Sequence, residues 1–338
     1  MPATAAHHAV ILQYHHFGSD TPPSTSVTLS QFDAHLKYRE GNDYQVWPIG
    51  KVVAYLREGR ALPERCAAIT IDDAYADTYT RAFPRLKSRH WPFTVFVATD
   101  AVDKRYRGLL TWDQMREMAG SGVTFANHSS THDHLIRMGP QETEERWRLR
   151  VTQDIRRAQQ RLDEELGNAP ALFAYPYGEY DGPLMRLVRS LDLIAFGQQS
   201  GPARTGSDFQ ALPRYAMSGR YADAQEFAVR LRSLPLPVQS AEPDEPVLPL
   251  GETRPKLRLA LGPGPYRTDS LACYAGMERA ELRWLAADRR TLEVQARSPL
   301  PVGRSRYNCT APHQDGSRFF WYTQPWIRRH PDGAWYRE

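Results

Sequence analysis

Residues 69–73, with the sequence Ile-Thr-Ile-Asp-Asp, end an apolar run that begins at Cys66 and set the interpretation of the whole chain. An apolar, β-branched run that ends in acidic residues is typical of a buried parallel strand. Residues 93–98 repeat this pattern further along the chain. Because functional side chains of α/β proteins lie at the carboxyl ends of such strands, Asp72 and Asp73 are the first candidate site residues.

Strand and helix signals alternate through the first two thirds of the sequence. Short apolar runs predict strands, and apolar residues three or four positions apart predict helices between them, the first capped by Ser30. Repeated units of this kind imply an α/β fold with a parallel sheet or barrel. The predicted strands are residues 9–14, 66–71, 93–98, 123–126, 171–175 and 193–196, and the predicted helices are residues 31–40, 48–57, 112–118, 141–166 and 184–191.

The character of the sequence changes after residue 232. Six prolines without a helical period predict a linker over residues 233–255. Short strand-like runs separated by Gly and Pro turns then predict a small all-β, sandwich-like domain over residues 256–338. Two of these runs carry Cys273 and Cys309, which could form a disulfide if the protein is exported. The predicted strands are residues 256–261, 271–274, 280–284, 291–296, 305–310 and 318–322.

Length and composition exclude several classes of protein. The 338 residues suffice for two domains, and 41% hydrophobic with 24% charged residues is ordinary globular composition. No run of about 18 apolar residues occurs, which excludes a transmembrane helix. Three cysteines are too few for a disulfide scaffold or a structural zinc finger.

Charge and the N-terminus give weaker indications of partner and location. Residues 252–338 carry 15 Lys and Arg against 9 Asp and Glu, which suits an anionic or polyhydroxylated partner or simply a solvated Arg-rich face. This excess is dispersed, so we expect no nucleic-acid binding. Residues 2–6 resemble the small-residue end of a secretory signal peptide or an Ala-rich disordered tip. We therefore expect export to the periplasm or cell envelope, with the rest of the leader absent from this sequence and the cytoplasm as the alternative.

Two adjacent carboxylates after a buried strand, Asp72 and Asp73, are costly to bury together. A cation would offset that cost, and one of the carboxylates would then be free to act as a base. The alternative interpretation is an ordinary turn or helix cap.

A pair of histidines follows the predicted strand at residues 123–126. His128 and His132 are spaced i and i+4, so in a helical turn they would project from one face, about 40° apart. Both imidazoles would then reach one metal, and two His with one Asp leave open positions for water and substrate. His134 follows closely, but its i+2 spacing points elsewhere on a helix.

A Pro/Gly turn ends the predicted strand at residues 171–175, within the sequence Phe-Ala-Tyr-Pro-Tyr-Gly at residues 173–178. Such a turn can leave backbone N–H groups to meet an oxyanion, although an ordinary turn has the same sequence features.

In this order and spacing, these motifs resemble those of the polysaccharide deacetylases of carbohydrate esterase family 4. The matching elements are the Asp-Asp pair, the His-Ser-x-x-His pattern, the Tyr-Pro-Tyr-Gly turn and the Leu-Leu-Thr-Trp segment at residues 109–112. The resemblance covers residues 9–232. It implies a distorted (β/α) barrel of the NodB-homology type for that domain.

The resemblance also implies roles for individual residues. Asp73, His128 and His132 are expected to bind a divalent metal, most readily zinc, with cobalt or nickel as alternatives. Asp72 is expected to be the general base, and the backbone N–H of Tyr177 to help hold the tetrahedral oxyanion.

The chain departs from the family pattern in two respects. Many members carry an Arg in the third motif that orients the base, and this chain has none there. The late Asp-x-x-Asp-Trp and Leu-x-x-His motifs are also not evident, which leaves the general acid unassigned. The branch that acts on poly-N-acetylglucosamine takes its acid from a Tyr-His on the first strand, where Tyr14, His15 and His16 stand here. We therefore predict His15 as the acid, with His16 less favoured and a structural histidine as the alternative, and Arg214 as the residue that steadies Asp72, with a surface salt bridge as its alternative.

The sequence thus predicts a metal-dependent hydrolase that removes N-acetyl groups from an N-acetylhexosamine-containing polysaccharide. An O-acetyl esterase using the same site is the nearest alternative. A catalytically inactive carbohydrate-binding protein is an alternative of another class, although retention of Asp72 argues against it. In the C-terminal domain, residues 319–322 with Trp326 predict either core packing or a sugar-stacking platform.

Overall fold

The computed structural model describes residues 5–337. Residues 1–4, which carry most of the segment interpreted as a leader remnant, lie outside the described residues. None of the helices in residues 5–337 combines the length and apolar character that spanning a membrane requires. The chain forms two compact units, of which residues 5–179, 183–198 and 203–231 make the first and residues 180–182, 199–202 and 232–337 make the second.

The first unit is built on a mainly parallel sheet that curls into a half-barrel, which confirms the predicted α/β class. Two short strands pair beside the main order: Tyr215–Ala216 joins His8–Tyr14, and Gln45–Val46 joins Cys66–Asp72. The antiparallel strand Ala203–Arg204 closes one edge. From the opposite edge, the order is Ile194–Phe196, Leu172–Ala174, Thr124–Asn127, Thr94–Val97, Cys66–Asp72, His8–Tyr14 and Ala203–Arg204.

Helices connect the parallel strands, and their ends follow local capping chemistry. The first begins two residues earlier than predicted and is capped by Thr28 rather than Ser30, because Thr28 and Gln31 form a reciprocal capping box. A π-helical turn, Thr78–Ala82, leads into the third. The α-helices are Leu29–Gly41, Ile49–Arg57, Phe83–Lys87, Thr99–Asp103, Trp112–Gly120, Glu144–Leu166, Gly182–Ser190 and Ala224–Leu231.

The long helix Glu144–Leu166 buries the apolar stripe that its sequence predicts. Trp147, Val151 and Ile155 on this stripe are almost completely inaccessible to solvent. The helix starts three residues later than predicted, because Thr143 caps it. Its packing holds the loop that follows strand Thr124–Asn127, where the two predicted site histidines lie.

The second unit contains two antiparallel-rich sheets around an apolar core. Trp326 is fully buried in this core, so core packing rather than a sugar-stacking platform describes that residue. Cys273 and Cys309 pair across neighbouring strands and are joined by a disulfide, as the sequence suggested. The strand orders are Leu234–Pro235, Phe319–Arg328, Gly303–Pro312, Ala272–Ala275, Glu278–Arg279 in one sheet and Val238–Glu242, Lys256–Leu261, Thr291–Gln295, Glu281–Trp284 in the other.

The Pro-rich stretch at residues 233–255 requires a correction to the linker prediction. Leu234–Pro235 and Val238–Glu242 within it are strands at the edges of the two sheets. Edge strands tolerate proline because one side of the strand donates no ladder hydrogen bonds. Proline content alone therefore concealed strands that belong to the second unit.

Candidate active site

The site is built around Asp72 and Asp73 at the end of strand Cys66–Asp72. Asp72 is fully buried, whereas the Asp73 side chain is 18% exposed. Asp73 and the following Ala74 both adopt left-handed backbone conformations, with φ of 72° and 55°. This conformation costs a non-glycine residue roughly 1 kcal/mol or more, so the fold stores strain at this turn. The turn gives the two adjacent carboxylates different surroundings.

Asp72 is held by a buried guanidinium. Nη1 and Nη2 of Arg214 donate to Oδ1 and Oδ2 of Asp72 at 2.7 and 2.8 Å, and both side chains are fully buried. Nε of Arg214 donates to the carbonyl of Gly197 at 2.9 Å, which fixes the guanidinium plane. Burial would raise the pKa of Asp72, but the charge and hydrogen bonds of Arg214, together with the nearby imidazoles of His128 and His15, outweigh it and lower the pKa. The structure thus brings Arg214 to the residue that it was predicted to steady.

Gln13 is a contact of Asp72 that the sequence reasoning missed. Its Nε2 donates to Oδ2 of Asp72 at 2.6 Å, and the side chain is fully buried. The available signal was a glutamine in the otherwise apolar strand His8–Tyr14, because a buried amide requires polar partners.

Three candidate metal ligands converge on the other carboxylate. Nε2 of His128 lies 3.3 Å and Nε2 of His132 lies 3.1 Å from Oδ1 of Asp73. One ligand atom from each of Asp73, His128 and His132 lies within 4.8 Å of the ligand atoms of the other two residues. Within residues 5–337, these three side chains form a group that could hold a metal ion. Burial raises the pKa of Asp73, but contacts with the two imidazoles in their protonated form outweigh it and hold the pKa well below 3.8.

The hydrogen bonding of His128 fits a cation between these atoms. Its Nδ1 lies 2.7 Å from the carbonyl of Ala174, and a carbonyl only accepts, so Nδ1 carries a proton. In the neutral imidazole, Nε2 then presents a lone pair toward the carboxylate oxygen of Asp73. That oxygen is buried and has no hydrogen-bond partner among the described residues 5–337. The facing lone pairs of His128 Nε2 and Asp73 Oδ1, together with a third from His132, match the His-and-carboxylate donor set of a catalytic zinc site.

The predicted helical turn through His128 and His132 is wrong. Ser129 and His132 have φ of 65° and 59°, which interrupts any helix, and the histidines lie on a loop. Side chains replace the helical hydrogen bonds: Asn127 accepts from the Ser129 N–H, and Ser129 accepts from the His132 N–H, each at 2.9 Å. Asp154 accepts from the N–H of Thr131 at 3.1 Å and ties the loop to helix Glu144–Leu166. The imidazoles converge by loop geometry rather than by helical periodicity.

The two N-terminal histidines lie in different places. Nε2 of His15 is 4.0 Å from Oδ2 of Asp72, and burial lowers the pKa of His15. His16 instead has Nδ1 3.0 Å from Oδ2 of Asp77, and its ring stacks on Tyr75 with centroids 3.6 Å apart. The geometry therefore places His15, and not His16, beside Asp72.

Tyr177 occupies the third motif in a strained conformation. Its φ is 58°, and Gly178 follows with φ of 69°. A Cβ on Gly178 would lie 2.5 Å from Cγ of Gln198, so only glycine fits there without rearrangement. The Tyr177 ring meets the edge of His132 and stacks on His134, with centroids 4.7 and 3.8 Å apart.

His134 and Glu179 form a second contact pair that the sequence reasoning missed. Nδ1 of His134 lies 2.7 Å from Oε2 of Glu179, whose side chain is fully buried. The pair links the histidine loop to the Tyr177 turn. A carboxylate two residues after Tyr177 and a histidine two residues after His132 were the only sequence signals, and neither has a distinctive spacing.

Comparison with known proteins matches residues 59–196 to the polysaccharide deacetylase family. The chain contains a polysaccharide deacetylase domain. The matched segment spans the strand that carries Asp72 and the loops that carry His128, His132 and Tyr177. The family resemblance deduced from the motifs is thereby confirmed.

Curated relatives are 22–28% identical to this chain over the aligned residues. The Bacillus subtilis protein YxkH is 28% identical over 209 residues, which cover 62% of this chain and 71% of YxkH. The poly-beta-1,6-N-acetyl-D-glucosamine N-deacetylase of Escherichia coli K12 is 25% identical over 241 residues, which cover 61% of this chain and 35% of that enzyme. This chain therefore matches only about a third of the length of the Escherichia coli enzyme.

Solved structures show the same fold. The Streptococcus pyogenes deacetylase PplD superimposes with a TM-score of 0.60 at 22% identity, over 68% of this chain and 99% of that one. IcaB from Ammonifex degensii superimposes with a TM-score of 0.58 at 24% identity, over 66% of this chain and 97% of that one. The predicted NodB-type architecture is confirmed by these neighbours.

Proposed function

We propose that the protein is a metal-dependent deacetylase that removes N-acetyl groups from an N-acetylglucosamine polymer. The observation that carries this proposal is that two adjacent carboxylates have different contacts. Asp73 faces two imidazole Nε2 atoms within 3.3 Å, while Asp72 is held separately by Arg214. One carboxylate is thus available to a metal and the other to a proton.

Zinc is the metal that the donor set favours, because two imidazoles and one carboxylate with open positions are typical of catalytic zinc sites. Asp73, His128 and His132 would hold it. When bound there, the metal would polarise the acetamide carbonyl and make a water molecule more acidic. Cobalt and nickel accept similar ligands and are the alternatives.

Side chains of the protein would accept and donate the protons of the reaction. Arg214 keeps Asp72 charged, so Asp72 can accept the proton of the attacking water. Burial lowers the pKa of His15 and so favours its neutral form, which must acquire a proton during the reaction before it can protonate the leaving amine. Asp72, once it has taken the water's proton, is the neighbouring acid, since its side chain lies 4.0 Å from Nε2 of His15 at the closest atoms. The backbone N–H of Tyr177 would help to stabilise the oxyanion.

The polymer is proposed from the named relatives. The enzymes of Escherichia coli and Staphylococcus epidermidis that match this chain at 25% identity are poly-beta-1,6-N-acetyl-D-glucosamine N-deacetylases. His15 stands where the resemblance places the acid of that branch. The disulfide between Cys273 and Cys309 supports export, because disulfides persist in oxidising compartments. We therefore propose an exported, acetylated β-1,6-linked polymer as the substrate.

Metal content and acetate release, measured together, test the proposal. The full chain would be loaded with zinc, cobalt or nickel and given β-1,6-linked N-acetylglucosamine oligomers, chitooligomers and O-acetylated xylooligomers. We expect acetate from the β-1,6-linked oligomers and its loss after chelation. Release from the ester substrate alone would instead support an O-acetyl esterase. Oligosaccharide binding by the fully metallated chain without any acetate release would overturn the enzyme proposal in favour of a binding protein.

A further inference from the structure

Gln13 and Arg214 approach Asp72 from different strands of the sheet. Gln13 lies on strand His8–Tyr14, in register with Thr70 of the strand that carries Asp72. Its carbonyl accepts a hydrogen bond from the N–H of Met217 at 2.9 Å, so its backbone is anchored on both sides. Arg214 immediately precedes strand Tyr215–Ala216, which pairs with His8–Tyr14. The donors to Asp72 are therefore parts of one rigid array.

Gln13 and Arg214 fill particular acceptor positions of the Asp72 carboxylate. A carboxylate offers about four lone-pair positions, two on each oxygen. Oδ2 of Asp72 accepts from Gln13 at 2.6 Å and from Arg214 at 2.8 Å, which uses both of its positions. Within residues 5–337, Oδ1 accepts one hydrogen bond, from Arg214 at 2.7 Å. One position on Oδ1 is thus left for a proton.

We propose that Gln13 is a positioning residue for the base. It holds Oδ2 so that Asp72 cannot turn into the coordination sphere of a metal on Asp73, and so that Oδ1 is the atom that receives the water's proton. The inference rests on the proposed function, because it assigns Asp72 the role of the base. A bidentate guanidinium fixes the carboxylate plane relative to itself, and the third donor fixes that plane relative to the first strand.

The test replaces Gln13 with methionine, which has a similar size and no amide donor. Cobalt-loaded protein reports the coordination directly, because its visible absorption weakens as the number of ligands rises. We expect the Gln13→Met variant to bind one cobalt, to absorb less intensely than the wild type, and to show kcat lowered about tenfold with unchanged KM. Gln13→Glu keeps the side-chain shape, sets a carboxylate against Asp72, and should lower kcat further.

Gln210 offers a matched control. It is also a buried glutamine, 6% exposed, and its Nε2 donates to the carbonyl of Leu193 at 3.2 Å. Gln210→Met should match the wild type in cobalt spectrum and kcat. The inference is overturned if Gln13→Met, folded by its circular dichroism, keeps the wild-type spectrum and a kcat within twofold, or if Gln13→Glu is as active as the wild type. If the wild type releases no acetate, the proposed function fails, but the cobalt spectra still decide whether Gln13 holds Asp72 away from the metal.

Discussion

The two halves of the site treat chemically identical residues in opposite ways. Asp72 accepts hydrogen bonds from Arg214 and Gln13 and is fully buried. Asp73, the next residue, directs a buried oxygen at the Nε2 atoms of His128 and His132, and in the described part of the chain this oxygen has no hydrogen-bond partner. The first arrangement holds a charged carboxylate that can accept a proton, and the second offers lone pairs to a cation. The role of each aspartate is therefore set by the donors or acceptors around it and not by its residue type.

The largest effect is expected from substituting the candidate metal ligands. His128→Ala and Asp73→Asn each remove one of three ligands, so zinc affinity should fall by at least about 100-fold, and acetate release should be lost. Equilibrium dialysis with a chelator buffer measures the affinity. His90→Ala, an exposed histidine outside the site, is the control and should bind zinc as the wild type does. Wild-type zinc affinity in His128→Ala would contradict the ligand assignment.

Substituting the residues that hold Asp72 should have a different effect. Arg214→Met leaves the Asp72 charge buried without its partner, so the free energy of unfolding should fall by about 3–5 kcal/mol. Turnover should fall while zinc content stays unchanged. Adding Asp72→Asn removes the stranded charge and should recover part of the lost stability. Denaturant unfolding and metal analysis check these outcomes. Loss of zinc from a folded Arg214→Met variant would mean that Arg214 supports the metal ligands rather than Asp72.

A third effect separates His15 from His16. His15→Gln should lower turnover of the amide substrate by about 100-fold or more, because an amine leaving group needs a proton. An ester substrate should be affected less. His16→Gln is the matched control, since His16 contacts Asp77 rather than Asp72, and it should retain most of the activity. Near-normal amide hydrolysis by His15→Gln at every pH would remove His15 from the reaction.

The smallest effect concerns a histidine whose two ring nitrogens both contact protein groups. His35 contacts the Tyr14 hydroxyl and the carbonyl of Ala222 at 3.1 and 2.8 Å, so neither nitrogen is left for a metal. Burial lowers its pKa to about 4, whereas the unfolded value is about 6.5. The unfolded chain therefore binds the proton first, and stability should fall as pH drops from about 6.5 to about 4, by up to roughly 3 kcal/mol. Denaturant unfolding across this pH range should show a shallower decline in His35→Leu, and identical slopes in both proteins would contradict this.

The fold was largely predictable from the sequence because its signals are local. Buried parallel strands such as Cys66–Asp72 are continuous apolar runs, and helix Glu144–Leu166 repeats its apolar residues at helical spacing. The strands at residues 234–235 and 238–242 were missed because prolines end or flank them and their pairing partners lie elsewhere in the second unit.

The site was predictable only in part. The Asp-Asp pair and the two histidines have a recognisable order, but their convergence depends on left-handed turns at Asp73 and His132 that the sequence pattern does not predict. The contact between Arg214 and Asp72 joins residues 142 positions apart, and its prediction rested on position in the fold. Gln13 shows the limit most clearly, because one polar residue in an apolar strand indicates a partner without identifying it.

Anomalous diffraction from crystals grown with zinc tests the central claim most directly. One zinc peak should lie about 2.0–2.2 Å from Oδ1 of Asp73 and from Nε2 of both His128 and His132, with Asp72 still bonded to Arg214 and Gln13. A peak away from these three atoms, or a zinc ion that is also bound by Asp72, would contradict the assignment of one aspartate to the metal and its neighbour to the proton.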